Sequence, residues 1–453
     1  MLMKNGGAPR PLDIAVIGTG IAGMSAAWLI AKQHDVTVYE KNERLGGHSN
    51  TVDVATSDGI IPVDTGFIVF NDWNYPNLEA LFDHLGVGVV KSDMSFSASI
   101  GDGALEYSGD ALKGLLGQRR NVFKPRHWRM IRDILRFYRE APDLLRPGCA
   151  VDMTLGAYLS ENRYSDAFIQ DHLLPMGAAI WSTKASDMLD YPVMAFIAFF
   201  QSHGLLNVNL NARPKWMSVR GGSRSYVNKL TAGFRDRARI GCGVESIQRD
   251  GEKVIVTDLA GDVASYDHVV IAAHADETLS MLSDADADER AILGSFNYTD
   301  NLAILHKDPS LMPRRHRVWS SWNYVGARKR DDEQALCVTY WMNKLQSLPC
   351  RENIFVTLNP VHEPDPSTVV ASFDYQHPLF NEAALAAQKR LWQIQGARRT
   401  WFCGSYFGYG FHEDALQSGL AAAEAVTDMK RPWSVGGESD RIANALAPRI
   451  AAE

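Results

Sequence analysis

Residues 13–48 read DIAVIGTGIAGMSAAWLIAKQHDVTVYEKNERLGGH, and this stretch decides the fold. Ile14 to Ile17 is a short apolar β-type run. It enters GTGIAG, where Gly18, Gly20 and Gly23 satisfy G-x-G-x-x-G with Ile21 and Ala22 between them, and SAAWLIAKQ continues as a helix. A second strand, Asp35 to Tyr39, ends on Glu40, 22 positions beyond Gly18. Strand, glycine turn, helix, strand and acidic residue thus occur in the order and near the ~20-residue spacing of a dinucleotide-binding βαβ unit. Gly18 is expected to make the tight turn, Gly20 to let backbone approach a pyrophosphate, and Gly23 to let helix and strand pack closely. Glu40 is expected to accept hydrogen bonds from the ribose of the adenosine half.

The residues after Glu40 choose between nicotinamide and flavin dinucleotides. Lys41 and Arg44 precede a glycine doublet, Gly46 and Gly47, followed by His48. The doublet offers a second length of bare backbone to a cofactor. NAD enzymes do not need it, whereas FAD proteins of the glutathione-reductase-like type commonly have it, with the preceding arginine near adenosine and phosphates. The expectation is an α/β Rossmann-type FAD-binding domain.

Working outward, the chain resembles the flavin amine oxidase and phytoene desaturase superfamily from about Asp13 to about Thr427. The resemblance implies an amine-oxidase-like two-domain architecture with an α+β substrate domain. It also implies roles for further stretches. IPVDTGFIVFN (Ile61 to Asn71) looks like the segment running toward the isoalloxazine ring, with Thr65, Gly66 and Phe67 nearest it. VRGGSRSYVNKL precedes the second adenine contact at Val244. In WFCGSYFGYGFHEDALQSG, a strand ends at Gly404 and a helix starts near Glu413 or Asp414. The N–H groups of Ala415 and Leu416 would then face the flavin N1 and C2 carbonyl, where a helix N-terminus suits anionic reduced flavin. Asp414 reads equally well as a helix cap. Ser405 stands where amine oxidases usually carry an acidic ribityl contact, and His48 stands where many have Arg. His48 is expected beside phosphate or ribityl, so the FAD is expected to be non-covalent.

These motifs divide the 453 residues into a discontinuous FAD domain (1–92, 211–292 and 396–430), a substrate domain (93–210 and 293–395) and a tail (431–453). Catalysis by flavin requires mainly that substrate be oriented and water excluded. Tyr406, Tyr409, Trp341 and Lys344 are the catalytic candidates, with Lys184 a further polar neighbour for flavin N5. Met176, Ile180, Trp181, Phe196, Phe199 and Phe200 are candidates for an apolar channel. No metal-ligand spacing and no G-x-S-x-G nucleophile elbow occurs in the sequence.

Composition narrows the partners. With 46% apolar and 22% charged residues and a formal net charge of -7, nucleic acid is not an expected partner. Five scattered cysteines without a C-x-x-C pair suit a reducing compartment. The N-terminal residues carry no apolar run of signal-peptide length, so a cytoplasmic location is expected, with peripheral contact at the inner face of a membrane. One segment suggests that contact. Arg119 to Glu140 holds eight cationic side chains against Asp133 and Glu140, and after Pro125 the residues Trp128, Ile131, Leu135 and Tyr138 form an apolar stripe.

Several stretches, among them GGHSNTVDV, QRRNVFKPRHWRMIRDILRFYRE and YWMNKLQ, resemble a bacterial branch of the superfamily often encoded beside cyclopropane-fatty-acid-synthase-like methyltransferases. That resemblance implies a hydrophobic or lipid substrate, a fatty acyl chain dehydrogenated near a methyl branch, with dioxygen as electron acceptor. An amine oxidase, a protoporphyrinogen-oxidase-like enzyme, and a flavin- or lipid-binding protein without turnover stay open at this stage.

Overall fold

The computed structural model describes residues 10–109, 114–147, 149, 152–181, 187–207, 209, 213–326 and 337–439. Asp13–Ile17 is the centre of a five-stranded, wholly parallel sheet. Its strand order is Ala238–Ile240, Asp35–Glu40, Asp13–Ile17, His268–Ile271, Thr400–Phe402. The sheet therefore gathers strands from three distant parts of the chain. Helices Ile21–Ile30 and His412–Thr427 pack against each other on one face. Gly419 makes this contact intimate, because an added Cβ there would overlap the Ala22 carbonyl oxygen. Helix Ile21–Ile30 is buried at nine of its ten residues, which explains why it is apolar all round rather than amphipathic.

A second, seven-stranded sheet is mixed. It runs Val369–Leu379, Asn297–His306, Phe355–Leu358, Val338–Trp341, Trp322–Gly326, Phe96–Ile100, Leu105–Ser108, with a single parallel pair between Trp322–Gly326 and Phe96–Ile100. Strands from 96–108 and from 297–379 are thus hydrogen-bonded into one layer. Helices Pro125–Glu140, Leu174–Trp181 and Val193–Ser202 share a core with this sheet through residues such as Phe137, Ala178, Phe196 and Phe200.

The hairpin Thr51–Thr56/Gly59–Asp64 joins the two layers. Its ladder continues beyond Asp64, since Thr65 N–H donates to the Asn50 carbonyl at 2.9 Å and Phe67 N–H to the His48 carbonyl at 2.8 Å. Asp64 itself is buried and accepts from Thr51 Oγ1 (2.6 Å), Ser223 Oγ (2.7 Å) and Gln346 Nε2 (2.8 Å).

The tail expectation needs correcting for its first residues. Arg431 is buried against Glu424 and Asn77, and Trp433 stacks on Trp28 at 5.9 Å, so 431–439 belong to the packed structure.

Candidate active site

At the carboxyl ends of the parallel strands lies a cavity of about 1130 Å³. That is where open α/β sheets bind ligands. Ile17 to Ala22, Glu40, Lys41, Arg44, Gly46, Gly47, His48, Val244, Ala272 to His274, Gly404 and Ser405 all line it. The geometry follows from the glycines. Gly18 has φ +95°, and a Cβ there would lie 2.8 Å from the Ala272 carbonyl oxygen. Gly23 does not face the cavity; a Cβ on it would overlap the Gly18 carbonyl, so it serves helix–strand contact. Gly20 differs from both, because a Cβ there would project into open space.

Glu40 is buried, and its carboxylate accepts from Thr19 N–H (3.1 Å), the Thr19 hydroxyl, Asn42 N–H (2.9 Å) and Asn42 Nδ2 (2.8 Å). These four donors occupy its lone-pair sites.

Thr65, Gly66 and Phe67 line the next part of the cavity, opposite the start of helix His412–Thr427. Thr65 Oγ1 lies 2.8 Å from the Tyr375 hydroxyl. Among the described residues, four buried polar atoms of cavity-lining side chains have no hydrogen-bond partner: His48 Nε2, His274 Nδ1, Trp322 Nε1 and Tyr406 Oη. Burial, then the neighbouring His377, His274 and His412, pushes His48 well below the usual imidazole range. Burial likewise lowers His377 to about 4 and His412 to about 3, so this wall is neutral at pH 7. Orphaned polar atoms are costly in a dry site, at roughly 1–3 kcal/mol each. A bare-backbone cradle and a neutral polar wall fit a flavin dinucleotide.

The rest of the cavity has a different character. Met94, Phe96, Met176, Ile180, Phe199 and Trp322 line it, with His203, Trp216 and Tyr340 among them. His203 Nδ1 sits 3.0 Å from the Phe199 carbonyl and 3.1 Å from the Ser202 hydroxyl.

Several expectations are corrected by this geometry. Trp341 and Lys344 do not reach the cavity. Tyr340 does, and side chains alternate along a strand, so its neighbour Trp341 turns to the other face, where Nε1 bonds Asn353. Lys344 bonds Ser95 and Asp93. The final helix begins at His412, earlier than expected, and Ala415 N–H is already engaged by the Phe411 carbonyl at 3.2 Å. Leu416 is fully buried in the core and does not line the cavity, whereas Ala415 does. Asp414 is a structural residue: its carboxylate accepts from Tyr409 N–H (2.9 Å) and Phe411 N–H (2.8 Å), closing the aromatic glycine loop.

Of the remaining catalytic candidates, Tyr406 and Tyr409 line the cavity, Tyr406 fully buried and Tyr409 partly exposed. Among the channel candidates, Met176, Ile180 and Phe199 line it, whereas Phe196 and Phe200 stack together in the core at 4.3 Å. Lys184 and the Trp181 side chain lie outside the described residues. The sequence reading did not single out Thr19, Asn42, His203, Tyr375 or His377.

A family model described as flavin containing amine oxidoreductase matches residues 21–292. Over 40 residues the chain is 52% identical to a 4,4'-diapophytoene desaturase (4,4'-diaponeurosporene-forming) of Staphylococcus aureus, a match spanning 9% of this chain and 8% of that protein. The fold is similar to that of a CLA-producing fatty acid isomerase from P. acnes, with TM-score 0.62 and 14% identity over 92% of this chain and 98% of the other. It is equally similar to cyclohexylamine oxidase from Brevibacterium oxydans IH-35A, with TM-score 0.62 and 14% identity over 92% and 99% of the two chains.

Proposed function

Because the chain belongs to the flavin-containing amine oxidoreductase family and is an FAD-dependent oxidoreductase, we propose that its substrate is a hydrophobic chain, a fatty acyl group of a membrane lipid. The observation that carries this reading is the apolar half of the cavity, continuous with the dinucleotide cradle and walled by Met94, Phe96, Met176, Ile180, Phe199 and Trp322. Such a wall gives an acyl chain about 25 cal/mol per Å² of buried apolar surface and gives a cationic amine nothing comparable.

FAD, when bound, supplies the acceptor for a hydride from one substrate carbon. The chain's own residues hold the acyl segment, exclude water and take the proton lost from the adjacent carbon. His203 is the residue assigned to that proton, since it places an imidazole on the apolar wall of the cavity. The product is the acyl chain with one more double bond. Its two electrons and two protons pass to dioxygen, giving hydrogen peroxide.

The test is product analysis. Purified enzyme incubated aerobically with phospholipids bearing methyl-branched or unsaturated chains is expected to yield acyl groups lighter by two hydrogens, with one equivalent of peroxide each. Peroxide from putrescine or cyclohexylamine, with acyl masses unchanged, would replace this reading by amine oxidation.

A further inference from the structure

A second cleft, of about 390 Å³, is lined by Gly101 to Ala104 and by Arg120, Arg314 and Arg315. It brings together two basic stretches nearly two hundred positions apart. Arg120 and Lys124 both donate to the Ala104 carbonyl, at 3.1 and 3.2 Å. Arg314 pairs with Asp102, and Arg315 with Glu106. Glu106 is buried, and its carboxylate also accepts from Ser99 Oγ (3.1 Å) and Arg314 N–H (2.7 Å), so its charge is committed inward. Arg120, Arg314 and Arg315 thus line the cleft, with Lys124 beside Arg120 at the Ala104 carbonyl, and among the described residues that line it Asp102 is the one carboxylate.

Beside this cleft the surface is apolar and protrudes. Phe123 is 87% exposed, Leu135 54%, Trp128 45% and Val122 40%. These are not scattered side chains. Trp128 Nε1 donates to the Val122 carbonyl at 2.8 Å and holds the preceding turn against helix Pro125–Glu140. Trp128 and Leu135, seven residues apart, share one helix face. The helix buries a different face, formed by His127, Met130, Ile134 and Phe137, while Ile131 and Tyr138 pack at its edge. The apolar stripe read from the sequence is therefore divided between core and solvent.

We propose that this surface docks the enzyme on an anionic lipid bilayer, with Phe123 and Trp128 entering the interface and the Arg120–Arg314–Arg315 cleft receiving headgroup phosphate. Charge complementarity and shape favour this occupant. A protruding aromatic edge ringed by cations matches a diffuse anionic surface, whereas a peptide or helix would need a groove. Each near-surface Lys or Arg adds about 1 kcal/mol on an anionic leaflet. Among the described residues no helix is long and apolar enough to cross a membrane, so an interfacial surface is the means by which this fold would reach acyl chains. That last point rests on the proposed substrate; the docking surface itself does not.

The test is flotation of the FAD-loaded enzyme with vesicles of phosphatidylcholine alone or mixed with phosphatidylglycerol. Binding is expected with the mixed vesicles only and is expected to weaken as salt rises. It should fall roughly thirtyfold in the Arg120→Gln/Arg314→Gln double variant. Phe123→Ser should weaken binding at every salt concentration. Flavin absorbance reports that each variant is folded. Equal binding to neutral vesicles, no binding at low salt, or a concentration-dependent dimer that the variant abolishes would each overturn the proposal. Flavin reduction by detergent-dispersed lipid separates the two readings. If dispersed lipid reduces the flavin but no vesicle binds, the docking surface is wrong and the substrate stands.

Discussion

The rings of Phe67 and His412 lie parallel, 3.8 Å apart at 9°, although 344 positions separate them in the chain. Phe67 lies in the loop that follows the hairpin, and His412 opens the final helix. Tyr226 locks the pair in place: its hydroxyl lies 2.8 Å from His412 Nε2 and also bonds Ser49 beside the glycine doublet. Three cofactor-facing segments are therefore tied through one phenol. Burial holds His412 at about 3, so the arrangement is neutral and unchanged across pH 5–8.

Tyr226→Phe is accordingly expected to keep the fold and weaken FAD. Leaving two buried partners unsatisfied costs roughly 1–3 kcal/mol, which is about five- to hundredfold in Kd. Titration of the apoprotein with FAD, followed by flavin fluorescence, measures it. An unchanged Kd would mean that the three segments are held independently.

The glycines offer a sharper contrast. Gly20→Val is expected to fold with a near-native Tm yet bind no FAD, because its side chain enters open space where pyrophosphate meets backbone. Gly23→Val should instead fail to fold stably, since its Cβ overlaps the Gly18 carbonyl. Thermal melts and bound-flavin ratios of both variants check this. Comparable Tm losses in the two would contradict it.

Asp64 carries a pH signature. Burial raises it to about 6, outweighing the hydrogen bonds from Thr51 and Ser223 that lower it. Unfolded, the group ionises near its ordinary value of 3.8. Between about pH 4 and 6 the folded state therefore holds a proton that the unfolded chain has released, and this site's contribution to stability falls as pH rises. Relative to Asp64→Asn, the native protein should lose up to about 1.4 kcal/mol per pH unit across that window. Parallel stability curves for the two proteins would show that Asp64 titrates normally.

His203→Phe is expected to bind FAD normally and slow flavin reduction by roughly a hundredfold or more, the usual contribution of a positioned base. Met176→Trp, which fills the apolar wall, should raise KM without altering the flavin spectrum. Stopped-flow reduction separates the two effects. A His203 variant reduced at the native rate would remove that residue from the proton path.

What the sequence made legible was local. The fingerprint, the doublet and Glu40 lie within 40 residues, and their roles follow from spacing and from what glycine permits. Convergence was not legible. Tyr375, His377 and His274 meet His48 through strand pairings across more than two hundred positions, and no local pattern announces that contact. Trp341 failed for a different reason: period-two alternation makes a one-residue choice equal to a choice of face, and Tyr340 holds the inner one. The final helix begins at His412, with Phe411 supplying the first accepting carbonyl and Asp414 capping it by accepting the Phe411 N–H.

The central claim is that an acyl chain on the apolar wall delivers hydride to FAD. Its most direct measurement is anaerobic mixing of oxidised enzyme with detergent-dispersed phospholipid, followed by flavin absorbance. Full bleaching by lipids with unsaturated or methyl-branched chains, and none by putrescine, cyclohexylamine or protoporphyrinogen, is the expected result. Bleaching by an amine or porphyrinogen while every lipid leaves the flavin oxidised would contradict the account.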